Sequence, residues 1–198
     1  MHRFLAPFLF LASLVHPIPD YPTMIDRVQA SVVRVTNETN DTPMTCSGEV
    51  ITVRHIQYVL TAAHCVGGTT LRGDGQAAAI IKMDAYYDLA LLTVGALDKP
   101  ALSFRETPVR RFEHLSALGY AFGWSSLMVL DERVLLIDVA PFSEFAPGLF
   151  VQPGYIGGMS GGPVVDRKGQ LVGIVQRTNT GVGYGVGAQL IRAFLVGV

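Results

Sequence analysis

The chain has 198 residues, 49% of them hydrophobic and 16% charged, with a formal net charge of -1. That length suits one domain, or two small half-domains sharing an interface, with a sizeable core. A near-neutral balance without a clustered basic excess excludes a nucleic-acid footprint, and 21 glycines and 11 prolines among many Val, Ile and Thr favour strands and turns over a helical bundle.

In chain order, Arg3 precedes an apolar run from Phe4 to Val15. The run falls short of the about 20 residues that span a bilayer as a helix. It fits the apolar core of a secretory signal over residues 1–18 better than an anchor or a buried segment, although no clean A-x-A cleavage site follows. No stable membrane span is expected, and the protein is expected to be secreted or periplasmic. "PTMIDRVQA" predicts a short helix with Thr23 as N-cap and Asp26 in its first turn. Strand-like runs then follow at short intervals: "SVVRVT", "CSGEVIT", "QYVLTAA", "AAAIIKM" and "LALLTV". "TNETNDT" holds two N-x-T sequons, at Asn37 and Asn40, and reads as a polar loop tip unless the host glycosylates exported proteins.

A charged, turn-rich stretch from Asp98 to His114 separates these strands from a second group: "LSALGYA", "SLMVLDERVLLIDVA", "LFVQ", "GPVVD", "LVGIVQRT" and "GYGVGA". The tail "AQLIRAFLVGV" has helical spacing. Many short strands broken by Gly/Pro turns predict an all-β fold, with two small barrels as the natural arrangement. Cys46 and Cys65 form no C-x-x-C and no zinc-spaced cluster, so neither metal nor cofactor is expected. In an exported chain they are expected to pair; in a reducing compartment they would be two buried thiols.

"IGGMSGGPVVD" packs glycines around Ser160 and stops with a proline, which forbids a helix there. A serine hydroxyl needs a base within hydrogen-bond reach to act as nucleophile. Of five histidines, His2 and His16 belong to the leader, His55 to a turn and His114 to the charged linker, whereas His64 ends an apolar strand in "LTAAHCV". An acid must orient that base, and Asp88 stands directly before the strand "LALLTV". "GMSGG" also fits the G-x-S-x-G elbow of α/β-hydrolases. That elbow requires a following helix and the order Ser, acid, His, and both requirements fail here.

"LTAAHC", "DLALL" and "GMSGGPVV", in this order, resemble the three catalytic blocks of the trypsin-like serine proteases. The resemblance covers residues 24–195. It implies a chymotrypsin-type double barrel: two six-stranded antiparallel barrels, at about 30–97 and 113–188 within a protease domain at 24–198, and a short C-terminal helix. It also implies a catalytic triad of His64, Asp88 and Ser160, an oxyanion hole from the N–H groups of Gly158 and Ser160, and a histidine-loop disulfide between Cys46 and Cys65. Protein or peptide substrates follow, cleaved through an acyl-enzyme. Gly154 takes the pocket-floor position where enzymes that prefer Arg or Lys carry an aspartate. With Tyr155, Val175, Gln176 and Arg177 as lining, the pocket is expected to take a small or medium apolar residue, or an acidic one through Arg177. Met159 stands where cleavage-activated zymogens carry an aspartate, which makes that activation unexpected. In this, and in "DRVQASVVRV" and "GYGVGAQLIRAFL", the chain is most similar to the high-temperature-requirement (Deg-type) protease domain, here without the usual PDZ domain. The alternative from another class is a catalytically inactive binding protein on the same fold.

Overall fold

The computed structural model describes residues 20–39, 42–140, 146–179 and 181–198. The expected signal segment and the Asn40 sequon lie outside them. The chain enters through helix α1 (Tyr21–Ser31), which buries Met24, Ile25 and Val28. The helix starts earlier than Thr23: Asp20 is the N-cap, without a side-chain cap bond, and Pro22 presets the first turn.

Six strands follow: β1 (Val32–Thr39), β2 (Thr42–Val53), β3 (Ile56–Ala62), β4 (Thr70–Gly73), β5 (Gln76–Asp84) and β6 (Leu89–Val94). They close into an antiparallel barrel in the order β1-β2-β3-β6-β5-β4. The second barrel comprises β7 (His114–Gly119), β8 (Met128–Val139), β9 (Gly148–Gln152), β10 (Pro163–Val165), β11 (Leu171–Asn179) and β12 (Val182–Gly187), closing in the order β10-β11-β12-β9-β8-β7. Helix α2 (Ala188–Leu195) ends the fold, burying Ile191 and Phe194. Two further expectations change. His114 opens β7 opposite Arg133 instead of lying in the linker. Asn37 is buried in β1, opposite Met44 and Leu71, so its sequon is no loop tip.

Several strands, among them β3, β6 and β11, bury both faces over most of their length. Val33, Val35, Val50, Val59 and Leu92 fill the first barrel, and Leu115, Val134, Val151, Val164 and Val172 the second. The opposite faces meet in a third apolar cluster that includes Met24, Leu60, Leu118, Ile174 and Phe194. This double burial explains continuous runs such as "LALLTV", which do not alternate. The barrels are therefore joined by a core, and the cleft at its rim is held between two rigid walls. Among the described residues, no helix is long and apolar enough to cross a membrane.

Cys46 on β2 and Cys65, beside His64, form a disulfide with Cα atoms 6.1 Å apart. Residues 19 apart in sequence are tied by it, and a loop of this size contributes about 3 kcal/mol in the chain-entropy model. The double variant Cys46→Ala/Cys65→Ala is expected to lose about that much, measured as a lower urea midpoint; an unchanged midpoint would contradict the assignment.

Candidate active site

Asp88 ends the turn before β6 with φ +52 and is buried. Its left-handed backbone aims the carboxylate at the short 3-10 turn Ala63–Cys65. Asp88 Oδ1 accepts the His64 backbone N–H at 2.9 Å, and Oδ2 lies 2.8 Å from His64 Nδ1. The Ala63 N–H donates to the Asp88 carbonyl at 3.0 Å. One carboxylate thus fixes both the position and the ring of the histidine. Because Nδ1 must donate to it, the lone pair of the neutral ring is left on Nε2.

Ser160 comes from the second barrel, in the turn before β10. Its carbonyl accepts the Ser47 N–H from the first barrel at 2.8 Å, and Cys65 Sγ lies 3.8 Å from the same oxygen. The serine and the histidine loop are therefore neighbours across the cleft. The Ser160 hydroxyl donates to the Gln176 carbonyl at 3.1 Å instead of to His64. The Gln176 side chain in turn donates to the carbonyls of Tyr87 (2.6 Å) and Asp88 (3.1 Å), tying β11 to the turn that carries the acid.

The glycines before Ser160 now have a reason. Residues 156–159 make a turn closed by Met159 N–H to the Ile156 carbonyl at 3.0 Å, with Gly158 at φ +94. A Cβ on Gly158 would lie 2.3 Å from the Tyr120 carbonyl. The Gly157 carbonyl accepts from Phe122 N–H at 2.7 Å, which directs the other end of that peptide, Gly158 N–H, the opposite way. Ser47 Oγ donates to the Gly158 carbonyl at 2.9 Å and accepts from Tyr120 N–H at 2.8 Å. Among the described residues, neither Gly158 N–H nor Ser160 N–H has a partner. Two N–H donors flank the serine hydroxyl, the arrangement that binds a developing oxyanion.

The remaining candidates separate. Val175 is buried in the second-barrel core. Arg177 brings its guanidinium 3.8 Å from Asp88 Oδ2. Gly154 lies under Thr178, whose Oγ1 would be 2.4 Å from an added Cβ. Tyr155 is buried and donates to Glu132 Oε1 at 3.4 Å. Burial pushes the Glu132 carboxyl up to about 8, against a lowering by that hydrogen bond; burial and Glu132 push the Tyr155 hydroxyl well above its ordinary range. Ser47 and the Phe122 main chain were invisible to sequence reasoning, since a serine beside a cysteine and a backbone N–H carry no residue signal. Among the described residues, the cluster Cys46, His64 and Cys65 has metal-binding proximity, but both sulfurs are in the disulfide, leaving one imidazole and no ligand set.

The profile of the trypsin-like peptidase domain matches residues 46–174, which spans the histidine turn, Asp88 and Ser160. The chain belongs to the trypsin-like peptidase family. Its fold is similar to that of the Rv3671c protease from M. tuberculosis in its active form, with a TM-score of 0.76 and 24% identity over 98% of this chain and 93% of that one. The inactive form of Rv3671c superposes with a TM-score of 0.73 and 22% identity over 88% and 93% of the two chains. The HtrA-type protease AlgW with tripeptide gives 0.74 and 22% identity, over 88% of this chain and 62% of AlgW. These identities establish the likeness of a Deg/HtrA-type protease domain as a likeness of fold. Among curated proteins, no sequence matches this peptidase-family chain.

Proposed function

We propose that this trypsin-like peptidase is a serine endopeptidase that works through Ser160, His64 and Asp88 and an acyl-enzyme. The observation that carries the reading is the pair of N–H groups at Gly158 and Ser160, without a partner among the described residues, next to a histidine whose Nδ1 is held by a buried carboxylate. A rotation about the Ser160 side-chain bond takes the hydroxyl from the Gln176 carbonyl to His64 Nε2. Ser160 Oγ then attacks the scissile carbonyl as His64 accepts its proton. The carbonyl oxygen gains its negative charge against Gly158 and Ser160 N–H, and His64 passes the proton to the leaving amine. Water repeats the sequence on the acyl-enzyme. Strand β11 supports a binding mode. Among the described residues β10 pairs with it only up to Ile174, and an added substrate strand is placed along the same edge, beside Ser160.

Ser160→Ala is expected to abolish hydrolysis of an unfolded protein substrate while leaving the circular dichroism spectrum and urea midpoint in place; turnover at the wild-type rate refutes the reading. A milder effect is expected at Ser47, which fixes the Gly158 peptide from behind. Ser47→Ala removes two hydrogen bonds, and the one to the Gly158 carbonyl, worth about 1 kcal/mol, positions the oxyanion donor, so kcat/KM should fall roughly five- to tenfold, as read by steady-state kinetics. The disulfide supports an oxidising location, secreted or periplasmic.

A further inference from the structure

Residues 154 and 155, just before Ser160 in the chain, meet the end of β11 and β12 along a tight seam. Its dimensions follow from three glycines. A Cβ on Gly154 would lie 2.4 Å from Thr178 Oγ1 and 2.9 Å from the Gly181 carbonyl carbon, so the threonine, itself exposed, closes over Gly154. A Cβ on Gly183 would lie 2.8 Å from Tyr155 Cε2, and one on Gly185 would lie 3.4 Å from the Tyr155 hydroxyl. The Tyr155 ring therefore packs on bare backbone at both glycines and takes the space that side chains there would fill. Tyr155 is only 5% exposed. Behind it stands Glu132 on β8, 2% exposed, with Oε1 at 3.4 Å from the tyrosine hydroxyl. Glu132 Oε2 is buried without a hydrogen-bond partner among the described residues, an arrangement that costs folding energy.

We propose that Tyr155 and Thr178 fill the slot for the residue on the acyl side of the scissile bond. The peptidase then accepts only glycine, alanine or serine there, and Tyr155 screens off Glu132, a carboxyl that an opened slot would offer to lysine or arginine. This rests on the reading of Ser160 as nucleophile. Thr178 sets the depth, because anything longer than a methyl or hydroxymethyl group meets it above Gly154. Tyr155 sets the chemistry at the back wall. Its removal lets water reach Glu132, which ionises once hydrated and becomes a counter-ion for a long cationic side chain. Arg177 contributes no acid specificity in this arrangement, as its guanidinium is turned to Asp88.

The experiment compares kcat/KM of the full chain on peptides identical except for Gly, Ala, Ser, Leu, Phe, Lys or Glu before the scissile bond. One excess methylene in a confined slot is worth about 10- to 200-fold, so wild type should cleave after Ala at least tenfold better than after Leu, Phe or Lys. Thr178→Gly should raise Leu relative to Ala by tenfold or more. Tyr155→Ala should raise Lys relative to Ala, and Tyr155→Ala/Glu132→Gln should lose that gain. Wild-type cleavage after Leu, Phe or Lys as good as after Ala overturns the proposal, as does a wild-type profile in both single variants. Should Tyr155→Ala fail to fold, wild type and Thr178→Gly still decide. Phosphonylation of Ser160 by a small fluorophosphonate, with loss of fluoride and with no side chain to place in the slot, separates the two readings. Labelling with an unrestricted profile sinks the slot alone; absence of labelling removes the nucleophile and the slot with it.

Discussion

Replacing Asp88 by asparagine is expected to lower kcat/KM by roughly 10⁴-fold, the size known for this change in serine peptidases, with the fold intact. Asparagine is among the residues that best tolerate the φ of +52 at this position. Its carbonyl oxygen can still accept the His64 backbone N–H that Asp88 Oδ1 now holds at 2.9 Å. The amide nitrogen, however, would face His64 Nδ1, where a carboxylate oxygen stands at 2.8 Å. As a donor it demands a bare Nδ1 and moves the proton to Nε2. The ring then offers the serine a hydrogen where a lone pair is required. The loss should appear in kcat, with KM little changed and the urea midpoint close to wild type. A fall of less than tenfold would show that Asp88 does not set the tautomer.

A stability effect of comparable weight is expected at Glu132. Its carboxyl is buried in the second barrel and pushed up to about 8 from 4.5. Between these values the folded protein keeps a proton that the unfolded chain has released. Stability is therefore full below about pH 4.5 and falls as the pH rises towards 8. The loss amounts to roughly 5 kcal/mol above that window. Glu132→Gln removes the titration while keeping an acceptor for the Tyr155 hydroxyl. The variant should gain several kcal/mol over wild type at pH 8.5 relative to pH 5, read from urea unfolding at the two pH values. Equal differences at both would contradict the burial assigned to Glu132. Glu49 on β2, wholly buried without a hydrogen-bond partner among the described residues and raised in the same direction, adds a slope of the same sign. Glu132→Gln alone should therefore flatten the pH dependence only in part, and Glu49→Gln should flatten it further.

The strands were legible wherever they bury both faces or alternate cleanly. β1, β2, β3 and β6 were written in Val, Ile and Leu, and the chain order of the two groups gave the two barrels. β4 was not legible: "TLRG" is four residues, mostly half-exposed, and is held by its pairing with β1 and β5, a tertiary cause that no local pattern carries. His114 read as linker because the Arg/Glu-rich residues before it are polar, while its strand is specified by partners across the sheet. At the site, His64, Asp88 and Ser160 stood out because each sits at a sharp break in an apolar run. Residues that act through the backbone did not. The Phe122 N–H that orients the Gly157 peptide, and the Ser47 hydroxyl that holds the next carbonyl, depend on chain segments more than 30 residues apart meeting in space. Tyr155 was named as pocket lining, but that its ring packs on Gly183 and Gly185 in front of a buried acid required coordinates.

The most direct test of the Ser160–His64 chemistry is mass spectrometry of the peptide containing Ser160 after treatment with a fluorophosphonate. A single adduct on Ser160 in the wild-type protein, absent in His64→Ala, is the predicted result. An unmodified serine, or an adduct that forms equally well without the histidine, would contradict it.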